Sequence, residues 1–160
     1  MGDPLVALTV VTALGCGLGA GALFAFSSFV MTALGRLQPA QGIAAMQSIN
    51  VQAPTPVFMT ALFGSALACL AVAVWGLADW NDDYSPYLLA GGALYVAGVP
   101  GVTMLFNVPR NNALARMEPE SPEAAAYWRR YLVEWTAWNH VRVVTGFAAV
   151  AAYALALHVG

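Results

Sequence analysis

The sequence predicts an all-α integral membrane protein, a four-helix bundle built as a single membrane domain over residues 1–160. Three observations point there. Hydrophobic residues make up 60% of the chain and charged residues only 9%, against about 25% charged in soluble domains, so the chain cannot coat itself with hydrated surface. Four apolar segments reach the roughly 20 helical residues that cross about 30 Å of hydrocarbon. The basic residues, all six of them arginine, avoid most of these segments and gather in two of the connections between them.

The first span covers about 5–34 without a charge. Its Met-Gly-Asp-Pro start has no cationic region and no small-residue cleavage site, so it reads as a spanning helix and not as a cleaved signal peptide. Val6 stands where a myristoylation signal needs Ser or Thr. Gly15, Gly17, Gly19 and Gly21 form two overlapping Gly-x-x-x-Gly pairs. With no strand before them they are no phosphate loop; they let a second helix approach closely. Next, Ile43, Met46 and Ile49 recur at helical spacing with Gln47 and Asn50 beside them, which predicts an amphipathic helix over about 41–51 lying at the membrane interface.

The second span covers about 56–78 and opens on Pro56, a good first-turn residue. The turn Asp79-Trp80-Asn81-Asp82-Asp83-Tyr84 starts like a calcium loop. Tyr84 stands where that loop needs Gly, and Ala90 where it needs Glu, so a hydrated interfacial turn is expected. The third span, about 87–106, carries Pro100 between Gly98 and Gly101, which predicts a kink. A loop holding Asn107-Val-Pro-Arg-Asn-Asn112 follows. Ser121 then caps a helix opening at Pro122 that meets no breaker before about Leu157, roughly 54 Å long. Its part over about 122–140 is expected to project into the cytoplasm, and 141–159 to span.

Arg36, Arg110, Arg116, Arg129 and Arg130 lie in the two long connections, while the N-terminus, the 79–86 turn and the C-terminus have no Lys or Arg. Positive loops stay inside. Both termini are therefore expected outside, and the expected location is the bacterial inner (plasma) membrane. A net charge of −2 leaves no basic patch for nucleic acid. Cys16 and Cys69 fall in apolar runs with no ligand spacing and read as buried reduced thiols. His140 and His158 stand roughly 27 Å apart along one helix and cannot share an ion. No metal site and no cofactor site are expected.

On a helical wheel, Trp128, Tyr131, Trp135, Trp138, Asn139, Arg142, Gly146 and Tyr153 fall within about 100° of arc. Arg142 sits at the hydrocarbon boundary, where an unpaired charge costs up to about 3 kcal/mol. Its partners must lie toward the bundle interior. Asn107, Asn111 and Asn112 are expected at the same depth, with Gln47 and Asn50 close by. These residues form either a polar clamp closing the inner end of the bundle or a semi-buried site with indole walls for a flat ligand.

Four elements carry a resemblance: Gly-Ala-Leu-Phe-Ala-Phe-Ser-Ser-Phe-Val-Met at 21–31, Ala-Met-Gln-Ser-Ile-Asn at 45–50, Thr103 with Asn-Val-Pro-Arg-Asn-Asn at 107–112, and Trp135-x-x-Trp138-Asn139-x-x-Arg142. Through them the chain resembles the anthrone-oxygenase-like family of small membrane proteins, in order and along its whole length. Arg110 stands where the family pattern commonly has Leu, which adds a cation. The resemblance implies oxidation of an anthrone-type substrate by O₂ without a cofactor. Arg142, Asn139 and Asn107 would stabilise the developing oxyanion and superoxide. The substrate, a hydrophobic small molecule drawn from the lipid bilayer, would lie among Trp135, Trp138 and Phe106, near Thr103, Asn111, Gln47 and Asn50. The residues name no general base, Glu134 being the nearest carboxylate on the helix. Two other functions fit the same sequence. One is a non-enzymatic, homo-oligomeric membrane module binding a partner protein, lipid or small hydrophobic ligand. The other is a small transporter or channel, against which the scarcity of intramembrane ionisable groups argues.

Overall fold

The computed structural model describes residues 1–160 and is entirely helical, without strands. Five helices follow one another: α1 (Asp3–Gly35), α2 (Pro39–Gln52), α3 (Pro56–Ala78), α4 (Ser85–Ala115) and α5 (Pro122–Val159). All but α2 are long and apolar enough to cross a membrane. The four long helices form a ring in which α1 and α4 each pack against both α3 and α5. Prolines open α2, α3, α4 and α5 in the first turn, where a missing N–H leaves nothing unpaired. Thr55 accepts a hydrogen bond from the Phe58 N–H at 3.2 Å, and Ser121 from the Ala124 N–H at 3.1 Å. The unbroken α5 has 38 residues, roughly 57 Å.

Small residues set the helix spacing. A Cβ on Gly15 would collide with Ser65, and one on Gly19 would stand 2.7 Å from the Tyr95 hydroxyl. This Gly-x-x-x-Gly pair therefore faces α3 and α4. Gly21, by contrast, meets open space. Gly146 brings α5 against α1, where its Cβ would lie 2.9 Å from that of Ala20. Cys16 and Cys69 are free and buried, their sulfurs 3.4 Å apart. Val11, Leu14, Leu18, Leu67, Val74 and Val144 are among the apolar side chains exposed on the outside, the girdle that a lipid environment requires.

Three of the four long helices widen into π-turns, and α5 does not. The π-turns cover Phe26–Val30 in α1, Thr60–Gly64 in α3, and Ala97–Gly101 and Thr103–Asn107 in α4. Pro100 lies inside one of them, so the expected disturbance of the third span takes the form of wide turns that accommodate the missing N–H. Beyond them the chain departs from expectation. Residues 107–112 are helical, not a loop, because Pro109 falls in the first turn of the resumed α-helix and α4 runs on to Ala115.

Two buried clusters result. One fills the bundle around Cys69, Leu88, Tyr95 and Tyr153. The other gathers Met31, Ile43, Met46, Leu114, Trp128 and Trp135 at the arginine-rich end. The apolar stripe of α2 belongs to this second cluster. It packs inward onto α5, and Gly42 permits the approach, since a Cβ there would stand 3.0 Å from the Trp128 ring. At the opposite end, residues 79–84 form a turn closed by hydrogen bonds from the Asp83 N–H to Asn81 Oδ1 and from Trp80 Nε1 to Asp82.

Candidate functional site

The site is built on the straight helix and walled by the widened ones. Successive turns of α5 bring Trp128, Tyr131, Trp135, Asn139 and Arg142 to one buried face. Arg142 is only 4% exposed. Its Nη1 donates to Thr103 Oγ1 at 3.1 Å, its Nη2 to Asn139 Oδ1 at 2.5 Å, and its guanidinium carbon lies 5.1 Å from the Trp135 ring centroid. Its Nε–H has no partner. No carboxylate pairs with it, since both ion pairs of the chain involve Glu134.

Asn139 is fully buried, and its Nδ2 donates to the Leu23 carbonyl at 2.8 Å and to Ser27 Oγ at 2.7 Å. The Leu23 carbonyl lies just before the π-turn of α1. Asn139 thus ties α1 to α5 while its oxygen holds the guanidinium. Asn111 performs a similar duty on α4, where its Oδ1 accepts from the Tyr131 hydroxyl at 2.7 Å and from Trp135 Nε1 at 2.8 Å. Asn107 donates to the Trp135 carbonyl at 3.2 Å, leaving its own Oδ1 buried and unpartnered.

Between the two buried clusters lies a cavity of about 250 Å³, slightly below the roughly 300–1,000 Å³ of common ligand sites. Arg142, Trp135, Asn111, Asn50 and Thr103 supply its polar and indole wall. Phe26, Leu62, Phe63 and Met104 from the π-turns supply its apolar wall. Asn50 belongs to the same lining, and its Nδ2 is buried and unpartnered. Asn50, Pro54, Val108 and Asn111 also border a second, polar cleft of about 750 Å³, walled further by Gln47, Ser48, Gln52 and Asn112. An apolar chamber and a polar antechamber therefore share a partition.

Several residues expected at one site stand elsewhere. Phe106 and Trp138 stack on each other, centroids 3.7 Å apart and planes 9° from parallel. Neither lines the cavity, so no ligand lies between them. Gln47 lines only the cleft, and its amide donates to the Leu114 and Met117 carbonyls at 2.9 Å each. Asn139 and Asn107 are beside the cavity, not in its lining. Arg110 adds no cation there, because it turns to Glu134 at 2.9 Å and to the Phe106 carbonyl at 2.8 Å. Glu134 is held by Arg110 and by Arg130 at 3.3 Å, outside the cavity. Sequence reasoning passed over Ser27, Phe26, Phe58, Phe63 and Met104. For Phe26 and Ser27 a signal existed in the 21–31 element; for the others an aromatic or Met on an apolar span is indistinguishable from a lipid-facing residue.

A family model described as anthrone oxygenase matches residues 56–152. That stretch holds α3, α4 and most of α5, including every cavity residue of those helices. No curated protein and no solved structure matches the chain.

Proposed function

The chain belongs to the anthrone oxygenase family, and from that premise we propose that its cavity oxidises a flat, hydrophobic aromatic ketone with O₂ and without a bound cofactor. The observation that carries this proposal is the buried Arg142 guanidinium, which borders the cavity with no carboxylate beside it. In the reaction an anthrone-type methylene loses a proton to give an enolate. The enolate passes an electron to O₂, and recombination forms a carbon–oxygen bond. Loss of the second ring C–H proton with cleavage of the O–O bond leaves a quinone and one water per O₂ consumed.

Negative charge moves from the ketone oxygen to the dioxygen during these steps. A fixed cation in a poorly hydrated chamber stabilises both charge positions without reorganising. Arg142 plays that part, with Asn50 as a second donor. Trp135 and Phe26, centroids 5.8 Å apart, supply apolar ring surface for the substrate. Asn139 and Thr103 are positioning residues that hold the guanidinium, and Asn107 and Asn111 hold Trp135. The arginine-rich end lies in the cytoplasm by the positive-inside rule, so the chamber sits near the inner face of a bacterial plasma membrane and substrate reaches it from the bilayer.

Protein purified in lipid nanodiscs should accelerate anthrone-dependent O₂ uptake with quinone formed in equal amount. Arg142→Ala should lower that gain by about 100- to 1,000-fold, the loss typical of removing an oxyanion donor. Equal rates with wild type, variant and empty nanodiscs would refute the proposal.

A further inference from the structure

The charge distribution around the cavity points beyond the reaction to the form in which substrate is taken. No Asp, Glu or His lines either the cavity or the polar cleft. The eight carboxylates of the chain are accounted for elsewhere. Asp3, Asp79, Asp82 and Asp83 lie at the far end, Glu118, Glu120 and Glu123 lie at or beside the α4–α5 connection, and Glu134 is bound by two arginines. No titratable side chain of α1, α2, α3 or α4 lines the cavity, and the Tyr131 hydroxyl on α5 is engaged as a donor to Asn111. The chamber holds a cation and no base.

A buried charge without a counter-charge is unfavourable, and removing one member of a buried pair leaves the other exposed to that cost. Arg142 stands in that position among the side chains of this chain. Two of its five N–H groups are paired with neutral oxygens, and Nε–H is unpaired. Within the oxygenase proposal, on which this step rests, we infer that the substrate itself supplies the counter-charge to Arg142. The cavity selects a planar aromatic monoanion, an enolate or phenolate formed at the membrane surface, and the protein abstracts no proton. The proton is left to water at the membrane surface before the ring enters the cavity. Substrates would then be ranked by acidity, those that ionise near neutral pH being preferred over equally flat neutral ketones.

The test uses 2-hydroxyanthraquinone, whose phenolate is coloured and which O₂ does not consume, with its methyl ether as a neutral isostere, both titrated into the full-length protein in neutral-lipid nanodiscs. Bound 2-hydroxyanthraquinone should ionise at least one pH unit lower than in empty nanodiscs, and should bind at least tenfold more tightly than the ether at pH 7. Arg142→Gln should erase both effects, and Arg142→Lys should retain part of them. The wild-type comparison stands even if a variant fails to fold. Equal affinity for phenol and ether, an unmoved ionisation, or no binding would overturn the inference. If that happens while anthrone-dependent O₂ uptake persists, the oxygenase function survives and proton removal lies elsewhere. If phenolate binding holds but O₂ uptake is not accelerated, the anion site survives and the oxygenase proposal falls.

Discussion

Arg142 is held from two sides, by Thr103 on α4 and by Asn139 on its own helix, and the Asn139 amide in turn reaches the Leu23 carbonyl and Ser27. Asn139→Leu therefore removes the oxygen under the guanidinium and the amide tie to α1, leaving the cation with Thr103 alone. We expect a stability loss of about 2–4 kcal/mol from orphaning buried polar groups, read as a lower unfolding temperature in detergent, together with a fall in O₂ uptake. Glu134 is the control. It is tied to Arg110 and Arg130 outside the chamber, so Glu134→Gln should leave O₂ uptake within about twofold, as surface ion pairs contribute little. A large loss in Glu134→Gln would mark it as the missing base. At this scale the sequence made Arg142 legible, because a charge at the hydrocarbon boundary has to be drawn inward. It did not show that Phe106 and Trp138 satisfy each other. A helical wheel ranks residues by angle and depth, and it cannot tell a ring that faces a cavity from one that faces another ring.

The π-turns matter at the scale of the element. Each adds a residue to a turn, displaces the following side chains around the axis, and loosens the carbonyl ladder. They occur in α1, α3 and α4, where they place Phe26, Leu62, Phe63, Thr103 and Met104 around the cavity. The straight α5 presents the polar groups opposite. Pro100 was a legible warning for α4, but nothing in Phe-Ser-Ser-Phe-Val or Thr-Ala-Leu-Phe-Gly marks a wide turn, since tertiary packing selects it. The α4–α5 contact near these turns is tight. A Cβ on Gly98 would collide with both the Cβ and the hydroxyl of Thr145, atoms close to the α5 backbone. Gly98→Ala should therefore cost about 1–3 kcal/mol as an overpacking change, visible as a lower unfolding temperature. Gly21→Ala, facing open space, should be nearly neutral in the same assay.

For the whole molecule, composition and run lengths were enough to specify four helices, because hydrocarbon admits so few alternatives. The inward turn of α2 was not legible, since one apolar stripe can face lipid or protein equally well. Sidedness rests on five connection arginines and has a direct check. Alkaline phosphatase fused after Gly160 should be active in bacterial cells and a fluorescent protein fused there dark; the reverse would place the chamber at the outer face.

Met104 is both a wall of the cavity and half exposed on the outside of the bundle. A substrate poorly soluble in water would thus be sampled from the lipid phase, and what governs turnover is its mole fraction there. Rates should obey surface dilution: adding empty vesicles at constant total substrate lowers the velocity in proportion to lipid volume, whereas diluting the whole mixture with buffer barely changes turnover per enzyme.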